Sequence, residues 1–440
     1  MNPIGRHGFW CVLLLGFCLL PAEDLWAQAH SDLPRSASVL RFEGLYGQSA
    51  EANDFFPERS PQYSLIAAYG YRPNLNDTYW AKTLNGMEVG LLGMYTNLGN
   101  PTALGASFTL LPYVRFPLFG TWTNKIRAQF GLGATYFDTV YDQDTNFFNQ
   151  AVTTPITWAF RGSVHYDFWR FDAWQFGLGG VYNHQSNGHT KLPNQGLNSF
   201  LLSLSAEHLI GRSDRTIDLS PSQQQTVADH ANPDNESGQD APQAYLEARF
   251  GFGTGIFALA FNDLRPVRTV ELTYGKMHQR TFKWGVGLQY RFYQHYYDYI
   301  KGNESLVQDG AEFADFRSAP GRYAANIGLH LDGELLLNHF GINAQLGVNL
   351  YKPAYNIDWR INQGWDYPPR ELPPNWVLGQ YNTKFELKKH ISTRLGLRYY
   401  LWSQALKPVQ NIFVGAHLNA NFGQADFSEI SVGYVYAWDR

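Results

Sequence analysis

The chain has 440 residues and a formal net charge of −4, which speaks against a nucleic-acid partner. Both cysteines, Cys11 and Cys18, lie in the N-terminal leader, so the rest of the chain offers no disulfide and no thiol chemistry. Aromatic residues reach 16% and glycines number 41, yet after the leader no apolar run attains the roughly 18 residues a membrane helix requires.

Residues 1–29 read as a secretory signal peptide. Arg6 supplies the positive region, and 9–20 is an apolar stretch too short for a comfortable span. Ala27-Gln28-Ala29 is a small-residue cleavage site, so the mature chain is expected to begin at His30. A first half, 30–212, then carries eight candidate strands at 38–48, 63–72, 86–96, 104–118, 125–138, 155–168, 173–186 and 198–211. The alternation is plain in 156–168. Ile156, Trp158, Phe160, Val164 and Tyr166 share one face, whereas Thr157, Arg161, Ser163, His165 and Asp167 share the other. One face suits hydrocarbon and the other a wet lumen. With the signal peptide, the aromatics and the glycines, this implies an all-β chain forming a transmembrane antiparallel β-barrel in the bacterial outer membrane.

Residues 213–243 are polar and rich in Gln, Asn and Pro, as a linker or long loop would be. A second half, 244–440, resumes with strand-like segments at 244–254, 267–278, 283–296, 321–332, 339–351, 376–388, 392–402, 410–420 and 427–438. The proline-rich stretch 352–374 reads as a further loop, and the run Tyr293-Gln294-His295-Tyr296-Tyr297-Asp298-Tyr299 as an interfacial aromatic girdle. Lys388-Lys389-His390 fits a periplasmic turn. Two echoes link the halves: 64–71 resembles 269–276, and 128–133 resembles 344–349. The favoured architecture is one barrel of roughly 14–16 strands, with two tandem 8-stranded barrels as the alternative.

The residues that invite chemistry sit at 184–198. His184 and Ser186 are two apart and share the apolar parity of Trp174, Phe176, Leu178 and Tyr182. Asn198 has the same outward parity at the start of the next strand. With a periplasmic N-terminus the connection between these strands is extracellular, which places the three side chains near the outer-leaflet headgroups. Neighbouring strands lie about 4.8 Å apart, so the side chains can meet. A serine needs a base to become a nucleophile, and the base needs a group that fixes its tautomer. Ser186, His184 and Asn198 are candidates for these roles. The Asn187 and Gly188 amides and the Asn194 side chain are candidate oxyanion donors. Spacing alone leaves open the plainer alternative of polar residues at strand ends.

His184-Gln185-Ser186-Asn187-Gly188, followed by Pro193-Asn194-Gln195-Gly196-Leu197, resembles the active-site stretch of the PagL-type outer-membrane lipid A 3-O-deacylases. It also resembles their longer relatives, the bacterial acyloxyacyl hydrolases. The resemblance covers about residues 125–211. It implies an outer-membrane serine esterase that removes an ester-linked acyl chain from lipid A, with His184 as base and Ser186 as nucleophile on the outer wall. Such hydrolysis needs no cofactor and no metal. The implied partners are lipopolysaccharide in the outer leaflet and the membrane itself. Asn198 stands where short members of the family carry Glu. Glu207 has lumen parity and is no substitute, whereas Asp138 has outward parity near the same rim and is the candidate stand-in, although it is two strands away. The rival expectation is a non-enzymatic channel or structural barrel. His417 has lumen parity and no serine beside it, which marks it as structural. The spacing of His184, His189, Asp142 and Asp144 matches no standard zinc set.

Overall fold

The computed structural model describes residues 36–74, 78–118, 125–210, 242–362 and 381–439. The expected signal peptide and most of the expected linker lie outside the described residues. Among the described residues sixteen antiparallel strands form. The first eight are β1 (Ala37–Ser49), β2 (Gln62–Arg72), β3 (Glu88–Asn97), β4 (Ala106–Pro117), β5 (Ile126–Phe137), β6 (Ile156–Phe171), β7 (Trp174–Ser186) and β8 (Leu197–Ile210). The second eight are β9 (Gln243–Gly255), β10 (Arg265–His278), β11 (Phe282–Tyr293), β12 (Ala325–Leu337), β13 (Phe340–Tyr351), β14 (Ile391–Tyr400), β15 (Gln410–Asn421) and β16 (Gln424–Trp438).

The strands close as two barrels of eight, the second of the two architectures the sequence allows, and not as a single large one. β8 pairs back onto β1, from Ser38↔Ile210 to Ser49↔Ser199, and β16 pairs back onto β9. The inward residues supply the physical reason. An eight-stranded barrel is just wide enough for side chains to fill it, and each half brings its own charge-balanced filling. In the first barrel Glu43 accepts from Arg161 at 2.6 Å and pairs with Arg41 at 2.8 Å, while Glu88 pairs with Arg72 at 2.9 Å. In the second, Glu271 pairs with Arg249 at 2.6 Å and Arg394 at 2.7 Å, and Glu334 with Arg398 at 2.7 Å. Charges so buried are tolerable only when paired and hydrogen-bonded, so each network belongs inside one closed barrel. Both sequence echoes fall on equivalent strands, β2 with β10 and β5 with β13.

Other expectations need correction. The segment expected as a strand at 376–388 is, where described, an α-helix, Thr383–His390, capped by the Asn382 side chain; Lys388, Lys389 and His390 form its basic last turn, not a periplasmic turn. The aromatic run after Tyr293 is also a helix, Gln294–Lys301, not a girdle. It buries His295, Tyr296, Tyr299 and Ile300 against Phe257 and Val307, forming a cap over the second barrel. The proline-rich loop contains a helix, Tyr355–Asn362, and its residues beyond 362 are outside the described set.

One end of both barrels carries the longest connections, such as 138–155 and 294–324, and the other carries the turns 172–173 and 338–339 together with the longer 73–87 connection. Long loops mark the extracellular side of outer-membrane barrels. The site connection, 187–196, lies at that end, as expected. The outward faces are broadly apolar and exposed, with Leu202 at 73% and Phe250 at 54%.

The exceptions to that exposure trace a seam between the barrels. Val114, Ala128 and Leu132 have outward parity yet are buried. At the short-turn end Trp80 and Val114 pack in one apolar cluster with Leu335, Leu337 and Ile342 of the second barrel, and the Asn338 N–H donates to the Tyr79 hydroxyl at 2.9 Å. At the extracellular end the Trp158 indole N–H donates to Ser428 Oγ at 2.9 Å. Lipid tails are as apolar as leucine, so such a seam is held by close packing and by these polar ties at its ends, not by exclusion from water.

Candidate active site

Strand alternation places Tyr182, His184 and Ser186 on the outer wall of β7. The β7–β8 register sets His184 directly opposite Asn198, and the β6–β7 register sets Trp158 opposite Ser186. His184 Nδ1 and Asn198 Oδ1 are 2.8 Å apart. The same Asn198 oxygen accepts the Tyr182 hydroxyl proton at 2.6 Å. Gly196 adopts φ 73°, and a Cβ there would come within 3.0 Å of His184 Cε1. Glycine thus serves twice at this position, giving the turn its left-handed residue and giving the imidazole its room.

Ser186 Oγ accepts from the Asn194 side-chain amide at 3.0 Å and from the Gly188 N–H at 3.3 Å. The Asn187 N–H donates to Asn194 Oδ1 at 3.3 Å, which fixes the way round of that amide. The Asn187 side chain is otherwise engaged: its Nδ2 donates to the Lys191 carbonyl at 2.7 Å and its Oδ1 accepts from the Thr190 N–H at 3.2 Å. It ties the loop into a tight turn and leaves its backbone amide near Ser186.

The candidate residues named from sequence therefore gather in two groups, His184 with Asn198 and Ser186 with Asn187, Gly188 and Asn194. The two acids weighed as the third member are also accounted for, and Asp138, the candidate stand-in, is engaged elsewhere. Glu207 is in the first lumen, paired with Arg72 at 3.1 Å and with Arg115. Asp138 caps the start of β4, accepting the Ala106 N–H at 2.8 Å. His417 is buried in the second lumen, and against the expectation of no serine beside it, Ser431 of the neighbouring strand lies 3.3 Å from its Nδ1. Among the described residues no group of three His, Cys, Asp or Glu side chains is arranged to hold a metal ion.

Two features escape a reading of the sequence. Tyr182 counts there only as one more apolar-face aromatic, although its parity with His184 and its diagonal relation to Asn198 hint at the contact. Ser186 is only 6% exposed on a wall where Phe200, one strand away, is 61% exposed. The second barrel covers its flank. A Cβ on Gly188 would lie 2.3 Å from Ser428 Oγ and 2.9 Å from Leu418 Cδ1.

The family models assign these two barrels separately. Residues 67–207 match the lipid A 3-O-deacylase (PagL) family, and 247–362 match the acyloxyacyl hydrolase C-terminal domain. The chain carries a PagL domain followed by an acyloxyacyl hydrolase C-terminal domain. It is an outer-membrane β-barrel protein of a lipid A deacylase and acyloxyacyl hydrolase family, whose members are ester hydrolases. No curated protein matches the chain. Among solved structures, the outer-membrane enzyme PagL is 14% identical, with a TM-score of 0.26, over 38% of this chain and 97% of that one. AlkL is 9% identical, with a TM-score of 0.23, over 43% and 97%. An outer-membrane channel from Pseudomonas putida F1 is 9% identical, with a TM-score of 0.17, over 96% and 100%.

Proposed function

We propose that this PagL-domain protein is a serine esterase that removes an ester-linked acyl chain from lipid A at the extracellular rim of its first barrel. The observation that carries the reading is the His184–Asn198 contact of 2.8 Å on the outer wall, two residues from a serine whose Oγ sits among two N–H donors.

Asn198 presents its carbonyl oxygen to the ring, so His184 carries its proton on Nδ1 and leaves the Nε2 lone pair free to act as base. Ser186 Oγ attacks the acyl carbonyl carbon and its proton passes to Nε2. The Asn194 amide and the Gly188 N–H, with the Asn187 N–H holding the Asn194 side chain in place, donate to the carbonyl oxygen as it gains negative charge, and such donors favour the tetrahedral intermediate over the ester. When that intermediate collapses, the sugar or hydroxyacyl oxygen leaves with the Nε2 proton and the acyl group stays on Ser186. Water, deprotonated by His184, then releases the fatty acid. Substrate on this wall lies with its acyl chains along Phe200, Leu202 and Leu204, which are all exposed.

Charged side chains fill both lumens, which speaks against the channel alternative. The test is mass spectrometry of lipid A from cells expressing wild type or Ser186→Ala. Loss of one acyl chain with wild type alone supports the proposal, and the mass lost identifies the ester. Unchanged lipid A with a folded wild-type protein in the outer membrane overturns it.

A further inference from the structure

We infer that the second barrel is a working part of the first barrel's site: Asn262 and Ser428 are positioning residues that hold the 186–193 loop in its reactive shape. The inference rests on the esterase proposal above.

The loop that follows Ser186 is tied to the second barrel at three residues, Gly188, His189 and Leu192. Ser428 Oγ donates to the Gly188 carbonyl at 3.4 Å while accepting the Trp158 indole N–H at 2.9 Å. The Ile256 N–H donates to the His189 carbonyl at 3.3 Å. Asn262 makes a two-point clasp on one backbone residue: its Oδ1 accepts the Leu192 N–H at 2.9 Å and its Nδ2 donates to the Leu192 carbonyl at 2.8 Å. Both hydrogen-bonding groups of Leu192 are thereby used by the other barrel, as a strand neighbour would use them.

These ties fall between the two groups that donate to Ser186. Gly188 supplies one N–H to Ser186 Oγ, and its carbonyl is the one held by Ser428. Leu192 lies two residues before Asn194, whose amide is the other donor to Ser186. A connection of ten residues at the tip of a hairpin is ordinarily the most mobile part of a barrel. Donors to a developing oxyanion work only when they need not reorganise. The first barrel supplies the reacting groups, and the second supplies the immobility. Neither Asn262 nor Ser428 reaches Ser186 itself, so both act through the loop.

The experiment compares full-length wild type, Ser186→Ala, Asn262→Ala, Ser428→Ala and Ser428→Thr, purified in detergent, on lipid A in mixed micelles. Each lost hydrogen bond is worth about a fivefold effect. Asn262→Ala is expected to lower kcat about 10- to 30-fold and Ser428→Ala about 5-fold, with KM within twofold of wild type. Ser428→Thr keeps the hydroxyl and is expected to restore kcat. Hydrogen exchange at the amides of 187–192 is expected to speed up in both alanine variants and in no other loop of the first barrel. Wild-type kcat in Asn262→Ala and Ser428→Ala overturns the inference while leaving the esterase proposal intact. A wild type as inactive as Ser186→Ala overturns the esterase proposal. In that event the exchange rates alone decide whether the second barrel holds the loop, and unchanged rates overturn that as well.

Discussion

Asn198 offers its carbonyl oxygen to His184, although an amide can equally offer its NH₂. The wrong choice would hold the imidazole in the tautomer that cannot act as base, the defect that disables serine proteases when their aspartate becomes asparagine. Tyr182 provides the bias, since its hydroxyl donates to the same oxygen at 2.6 Å. A neutral hydrogen bond of this kind contributes about 1–1.5 kcal/mol net, so losing it shifts the amide's orientation, and with it the base-competent fraction, by about 5- to 10-fold. Tyr182→Phe is therefore expected to lower kcat about 5- to 10-fold. Asn198→Asp replaces the ambiguous amide with a carboxylate that accepts in either orientation and stabilises the imidazolium by charge. Hydrogen bonds to charged groups contribute about 1 kcal/mol more than neutral ones, so this variant alone is expected to raise kcat about 5- to 10-fold. The decisive measurement is the double-mutant cycle on fatty-acid release. In the Asn198→Asp background Tyr182→Phe is expected to cost less than 2-fold. The same 5- to 10-fold cost in both backgrounds would refute the argument, because Tyr182 would then act by packing and not by orienting the amide.

Further outcomes follow from the same structure. Ser186→Ala is expected to lower deacylation by about a thousandfold or more while the unfolding midpoint in urea stays within error of wild type. Glu43→Gln leaves Arg41 and Arg161 facing each other inside the first lumen and is expected to destabilise that barrel by about 3–5 kcal/mol, measured by urea unfolding in detergent. Planar-bilayer recordings are expected to show no steady conductance, since both lumens are filled. In the cap of the second barrel, burial against Phe257 pushes the His295 imidazole down to about 3. The unfolded side chain takes up its proton near 6.5 and the docked one does not, so docking is favoured above that pH and weakens steadily as pH falls toward 3. At pH 4.5 the loss is about 2–3 kcal/mol, opposed in part by Asp358, whose carboxyl burial raises above its ordinary value. Hydrogen exchange over 294–300, corrected for intrinsic rates, is expected to show this loosening in wild type and not in His295→Phe.

Alternation made the barrel strands legible. β7 and β8 fall within a residue of their expected bounds because apolar-out, polar-in parity is enforced by lipid on one side and a charged lumen on the other. The helices escaped because their surroundings differ. His295, Tyr296, Tyr299 and Ile300 recur at helical spacing, but aromatic density alone also fits a membrane girdle. The choice between one barrel and two was not legible, since parity tells which way a side chain faces and not which strands meet at closure. At the site, parity brought His184, Ser186 and Asn198 to one wall. It had no means of showing that Ser428, more than two hundred residues later, would cover the serine's flank; that contact exists only because the two barrels lie side by side.

The seam also gives the protein a handedness of approach within the membrane plane. If the protein acts on lipid A as proposed, substrate confined to the outer leaflet arrives by lateral diffusion, from any compass direction around a lone barrel. Here the sector beyond β6 is occupied by the second barrel, whereas the sector beyond β8 is open lipid. Collisions on one side are therefore barren. On that proposal a lipid reaches Ser186 from the β8 edge, with its chains along the exposed Phe200, Leu202 and Leu204. Traffic past the protein thus runs in a single lane, and whatever else docks against the β8 edge, a neighbouring copy included, would close it.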